Sequence, residues 1–370
     1  MIQLSGFQWP ETVTKQVAYM NEEGHIHEQY VSLGHEWREA DLTELAHAPR
    51  ASDATTMAGY AWSEGKCKQI AYMDRNHHIQ ELGVSIGGTW ECRDLTRMAG
   101  APLADGSVLT AFSWEAGHTK QAIFIDSNYH VWELCLGLGG NWQVTDLTAL
   151  TNAPLADGAS LIGFEWPVAG TKQIGYIDTN GHIQELSVSP GGQWRVTDLT
   201  ALTGAPLADF GNLSVSLTGC AWAVGQTKQF FYRDRHGHMQ ELVVGIGGNW
   251  QVADLTMLTN APFANSLGGL CAFEWPEGGT KQVAFVDSNY HVCELYVGAG
   301  NPWQVADLTS ITHAPRVLQR ALAGFSWSAG QTKQIVYVGP HNSIQELSVT
   351  PNGQWQVADL TVLVSSLMLV

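Results

Sequence analysis

Charged side chains are scarce in this chain, and cations are the scarcest. Lys, Arg, Asp and Glu make up 14% of 370 residues, and 18 basic against 35 acidic groups leave a formal charge of −17. So few charges exclude a disordered polyelectrolyte or a coiled coil. The sign of the balance argues against nucleic acid and against an anionic membrane surface as partners. Long apolar runs are missing too. Nothing approaches the roughly 18–20 residues that span a bilayer, so no membrane insertion is expected. The first nine residues, Met1 to Trp9, lack the basic head and apolar core of a secretory leader. Six cysteines (Cys67, Cys92, Cys135, Cys220, Cys271 and Cys293) form no CxxC and share no spacing. They read as scattered thiols in a reducing compartment rather than as a disulfide framework. A cytoplasmic protein is the expectation, with release by a non-classical route left open.

What the chain has in excess is glycine (39) and tryptophan (15), and the tryptophans are periodic. One series falls at Trp9, Trp62, Trp114, Trp166, Trp222, Trp275 and Trp327, at intervals of 52 to 56 residues. A second falls at Trp37, Trp90, Trp142, Trp194, Trp250, Trp303 and Trp355; only Trp132 stands outside both. Each interval repeats one order of features: Lys-Gln, an aromatic, usually Asp, a turn, usually His, then Glu, the second Trp and Asp-Leu-Thr. Seven units of about 52 residues, starting near positions 5, 58, 110, 162, 218, 271 and 323, fill a single domain spanning 1–370.

Within the unit that begins near residue 162, the pattern reads as four short strands. Leu161–Trp166 is a brief apolar stretch. Lys172–Asp178 alternates, with Ile174 and Tyr176 on one face and Gln173, Gly175 and Ile177 on the other. Thr179-Asn180-Gly181 is a hairpin turn, because Asn and Gly tolerate positive φ. His182–Val188 returns, Pro190-Gly191-Gly192 turns again, and Gln193–Thr200 forms the fourth strand. The link Ala201–Asp209 crosses to the next unit. Four antiparallel strands repeated seven times, with no long amphipathic helix, predict an all-β, seven-bladed β-propeller. A β-solenoid is the competing repeat fold, but its coils are usually shorter and lack regular hairpins. The mode of ring closure stays open: many propellers share strands from both termini in one blade, the apolar tail Val362–Val370 offers a further strand, and blade-on-blade packing is the alternative.

The polar residues that recur on strands are the candidate binding groups. Folding the hairpin about Asn180 sets Glu185 opposite Gly175, with Gln173 diagonal to it on the same face. The equivalent sets are Gln16, Glu28 and Trp37; Gln69, Glu81 and Trp90; Gln121, Glu133 and Trp142; Gln173, Glu185 and Trp194; Gln229, Glu241 and Trp250; Gln282, Glu294 and Trp303; and Gln334, Glu346 and Trp355. The space between the two polar groups is expected to be open over Gly175, Ala18, Ala71 and Ala284, and filled by Ile123, Phe231 and Val336. Carboxylate and amide groups exchange hydrogen bonds with vicinal hydroxyls, and an indole face suits the C–H side of a pyranose. Glycans or small saccharides are therefore the expected partners, held by several equivalent shallow sites whose strength comes from repetition. No cofactor or metal is expected, and an oligomer is left open.

Structural readings stand beside this. The repeated Trp serves packing between sheets, and the Glu forms an ion pair with the repeated Lys. Asp-Leu-Thr reads as a turn or cap, and the hairpin Asp (Asp74, Asp126, Asp178, Asp234, Asp287) as the acceptor of an Asx turn. Metal binding by His25, His78, His130, His182, His238 and His291 is disfavoured, because one His and one Asp make an incomplete site. An enzyme would place a single site at the central channel or on one face, among departures from the repeat such as His77-His78 or the insertion near Phe210–Ser216. No nucleophile motif, HExxH or phosphate-cradling loop is present. A protein-interaction platform is the third alternative.

The order strand, turn, His/Thr-Ile-x-Glu-Leu, Gly-rich turn, Trp resembles the blade of the Aleuria-type fucose-binding lectins. In that family an Arg, a Glu and aromatic residues hold fucose between adjacent blades. The resemblance implies a propeller with inter-blade sugar sites. It maps the family's Glu onto Glu28, Glu81, Glu133, Glu185, Glu241, Glu294 and Glu346, and its aromatic onto the second Trp series. The Arg position falls on Gln16, Gln69, Gln121, Gln173, Gln229, Gln282 and Gln334, and an amide does not reproduce forked, charged donation. The family is typically six-bladed, whereas seven units are counted here.

Overall fold

Short-range chemistry makes each blade. In the fourth, Trp166 ends the inner strand, and Pro167–Ala169 form one 3-10 turn closed by Gly170 at φ +64°. The next hairpin is tied by Asp178, whose Oδ1 accepts from the amides of Asn180 and His182. Gly181 takes φ +88° there, a conformation that glycine adopts without a Cβ penalty. The fourth strand stops at Asp198, whose side chain caps a one-turn helix, Leu199–Thr203, by accepting from Ala201 N–H. Thr200 Oγ1 then accepts from Ile183 N–H at 2.9 Å, pinning the helix to the third strand. Asp-Leu-Thr is thus a helix cap, and the hairpin Asp closes an Asx turn.

The computed structural model describes residues 3–53, 56–211 and 216–365. Among them, twenty-eight strands form seven four-stranded antiparallel sheets, each built in chain order. The fourth blade comprises Ala156–Trp166, Thr171–Asp178, Ile183–Val188 and Arg195–Asp198. Its hairpin register pairs Gly175 with Glu185 and Gln173 with Ser187, as the sequence predicts. Two boundaries differ from expectation. The fourth strand has four residues, because the Asp cap starts a helix where a longer strand was expected. The inner strand starts earlier, through an irregularity between Ala156 and Leu161. The fold is a seven-bladed β-propeller, and no described helix is long and apolar enough to cross a membrane.

The core lies between blades. Ile174, Tyr176 and Leu186 on one face of blade four are fully buried against Phe112, Ile123 and Val131 of blade three. Each such aliphatic side chain contributes about 1.5–3 kcal/mol on leaving water. Inner strands approach through a phenylalanine laid on a glycine: a Cβ on Gly163 would stand 2.3 Å from Phe112 Cε1, and one on Gly6 the same distance from Phe325 Cε1. The second contact joins blade seven to blade one. Each sheet keeps its own four strands, so the ring closes by packing and not by strand exchange. The helix Leu360–Ser365 takes in the start of the apolar tail, where a further strand was offered; the remainder of the tail lies outside the described residues, as does part of the blade-five insertion. All six cysteines are free thiols.

Candidate functional site

On the second strand of every blade, alternation sends Lys and the following Gln to opposite faces. The Lys meets the preceding blade and the Gln the following one. Lys68, Lys120, Lys172, Lys228, Lys281, Lys333 and Lys15 donate to Glu28, Glu81, Glu133, Glu185, Glu241, Glu294 and Glu346 at 2.5–2.7 Å. Every ammonium also lies between two indoles, 4.7–5.4 Å from the ring centres. One indole is the first-series Trp of the blade that owns the Glu; the other is the second-series Trp of the Lys blade. Lys228, for instance, stands between Trp166 and Trp250. Neither blade alone holds the group.

Burial shapes the electrostatics. It pushes the carboxyls of Glu28, Glu185 and Glu294 upward, against the attraction of Lys68, Lys228 and Lys333. It pushes the Lys68 ammonium downward, against Glu28. The short contacts and flanking ring faces compensate a desolvation that would otherwise be prohibitive.

These positions change the roles expected from sequence. The seven Glu are 1–4% exposed and the seven Gln 0–1%, so both form a sealed floor; the Lys–Glu ion pair is the reading realised. Gln173 donates to Thr171 Oγ1, and Gln16, Gln121 and Gln334 likewise to the Thr two residues back. Gln69 donates to Cys67 Sγ. Gln229 and Gln282 turn the other way, with Oε1 accepting from Thr227 and Thr280. The space over Gly175 is not open: a Cβ there would stand 2.3 Å from Cε1 of Phe230 in blade five. Ala18, Ala71 and Ala284 are also buried. Of the expected set, the second-series Trp side chains reach the surface; all are half-buried except Trp142, which is buried.

Above the floor, clefts remain. Between blades four and five a cavity of about 610 Å³ is lined by Trp166, Lys228, Trp250, Leu202 and the turn Gly245–Asn249. Between blades five and six one of about 300 Å³ is lined by Trp222, Lys281, Trp303 and the turn Gly298–Asn301. Sequence reasoning left the Lys and the first Trp series out of the site, although both recur in seven of seven units. That strictness was the available signal.

A cavity of about 490 Å³ at the central channel is lined by the inner strands, with Leu4, Met57, Leu109, Leu161, Leu217, Leu270 and Leu322 at equivalent positions. The hydroxyls of Ser5, Thr110 and Thr218 accept from backbone amides of the next blade, at Gly59, Gly163 and Ala272. These bonds staple each of those inner strands to the next. The six repeated His each donate Nδ1–H to the capping Asp at 2.7–2.8 Å, which orients the helix start.

No protein-family model matches the chain, and no curated protein is significantly similar to it in sequence. Solved structures do match. The BP39L lectin from Burkholderia pseudomallei superposes with a TM-score of 0.74 at 11% identity, covering 95% of this chain and 97% of that one. AofleA from Arthrobotrys oligospora gives 0.54 at 16% identity, covering 82% and 85%. The lectin of Aleuria aurantia, described as six-bladed with a novel mode of fucose recognition, gives 0.52 at 14%, covering 82% and 93%. The chain therefore shares the β-propeller fold of these lectins.

Proposed function

We propose that this protein is a carbohydrate-binding lectin whose sites are the clefts between neighbouring blades. The observation that carries the reading is the Trp166–Lys228–Trp250 cleft, where two indoles and an ammonium converge beside a glycine-rich turn. A pyranose stacks its C–H face on an indole, and its hydroxyls accept from the ammonium hydrogens that Glu185 leaves unused. The Lys228–Glu185 pair leaves this cleft formally neutral, which suits an uncharged sugar. In this arrangement the Glu acts from beneath, setting the Lys, while the half-buried second-series Trp of an open cleft, such as Trp250, touches the ligand.

The fold shared with lectins supports the reading, and one of them, an Aleuria aurantia lectin variant, was solved with α-methyl-L-fucoside. In place of the family's Arg, the cation here is the Lys one position earlier on the same strand, reaching the Glu of the preceding blade. Calorimetry with α-methyl-L-fucoside, backed by a glycan array, tests this: stoichiometry above one per chain is expected, with shallow sites gaining avidity from the ring. A blank array would overturn it.

A further inference from the structure

We propose that the clefts between blades one and two and between blades six and seven are plugged by Tyr30 and Tyr296, so that ligand enters only at the remaining interfaces; this rests on the lectin reading above. The position in question lies on the third strand directly opposite the repeated Gln. Tyr30 faces Gln16 and Tyr296 faces Gln282. A side chain there shares the face of the Glu two residues before it and points at the Lys of the following blade.

The two rings occupy that space. Tyr30 lies 5.4 Å from Lys68 Nζ, and Tyr296 lies 5.3 Å from Lys333 Nζ. With Trp9 and Trp90, or Trp275 and Trp355, they complete three-ring cages around the ammonium. Tyr296 is fixed by its hydroxyl, which donates to Gln304 Oε1 at 2.6 Å. In the other five blades the position is Gly83, Cys135, Ser187, Val243 or Ser348, none of which lays a ring on the cation. The clefts of about 610 and 300 Å³ sit at interfaces that carry Ser187 and Val243. A hydroxyl ligand needs both room over the ammonium and an unblocked N–H. A third ring removes both.

Calorimetry with α-methyl-L-fucoside tests the assignment on the full chain. Relative to the wild type, Tyr30→Ser with Tyr296→Ser should add two sites, and Ser187→Tyr should remove one. A wild type that binds while both variants keep its stoichiometry overturns the plug and leaves the lectin reading standing; absence of binding by every form overturns both. A second readout needs no sugar. Amine acetylation followed by mass spectrometry should label Lys333 more slowly than Lys228, and Tyr296→Ser should bring the two rates together. Equal rates in the wild type would also refute the plug.

Discussion

Lys15 Nζ lies 2.6 Å from Glu346 Oε1, joining the first blade to the last across 331 positions of sequence. Both side chains are buried, and the pair repeats the bond made at every other interface. Closure therefore uses the same chemistry as propagation. Removing one partner leaves a buried, uncompensated charge, so Lys15→Met or Glu346→Leu alone should cost about 3–5 kcal/mol, and the double substitution markedly less than their sum. Urea unfolding of the cycle measures this; strictly additive losses would show that the two groups do not couple.

Among the described residues, the seam between blades seven and one also has the smallest apolar cluster, with five buried residues: Val17, Phe325, Val336, Ile344 and Leu360. The cluster between blades three and four has twelve. Local opening should therefore begin at the seam. Hydrogen exchange in blades one and seven is expected to be faster than in blades three and four. Phe325→Ala should widen that gap while lowering stability by about 3–5 kcal/mol. Uniform protection around the ring would contradict the expectation.

For binding, Trp250→Ala should abolish the site between blades four and five and lower stoichiometry by one, because an indole wall of that cleft is lost. The truncation should leave the fold intact, since Trp250 is only half-buried. Calorimetry beside a thermal melt separates the two effects. Collapse of the melt would assign the residue to packing instead.

Asp157 supplies a pH dependence. Its Oδ1 accepts from Ala159 and Ser160, and Oδ2 is buried. Burial raises its pKa to about 6, opposed by nearby backbone amides and reinforced by the charge of Asp178. The folded state thus holds a proton that the unfolded chain releases near pH 4. Stability associated with this group is present at low pH and is lost as pH rises through about 6, by about 1–3 kcal/mol. Asp157→Asn keeps the acceptor oxygen and drops the charge. It should flatten the change in urea midpoint between pH 5 and pH 8 and raise the midpoint at pH 8; an unchanged slope would acquit the residue.

Much of this architecture was legible beforehand. The seven-fold period, the hairpin register that sets Gly175 opposite Glu185, the Asx turn of Asp178 and the capping role of Asp198 all depend on neighbours within one blade. Local rules of turn, alternation and capping reach that far. The fourth strand is shorter than the sequence pattern predicts because the cap and the strand compete for the same residues, and helix nucleation at Asp198 wins.

The candidate site was only half legible. Trp194 and Trp250 stood out by recurrence, but Gln173 and Glu185 looked available for a ligand because alternation shows which face a side chain takes and not what covers it. The amino-acid sequence by itself determined seven repeats, their strand order and the face on which each polar group stands, since these follow from backbone sterics and short-range hydrogen bonds. Only the tertiary structure decided that Lys228 would seal Glu185, that Phe230 would fill the space at Gly175, and that Lys15 would meet Glu346. Those contacts arise between sheets, where desolvation and packing against the next blade select one arrangement from many that the pattern allows.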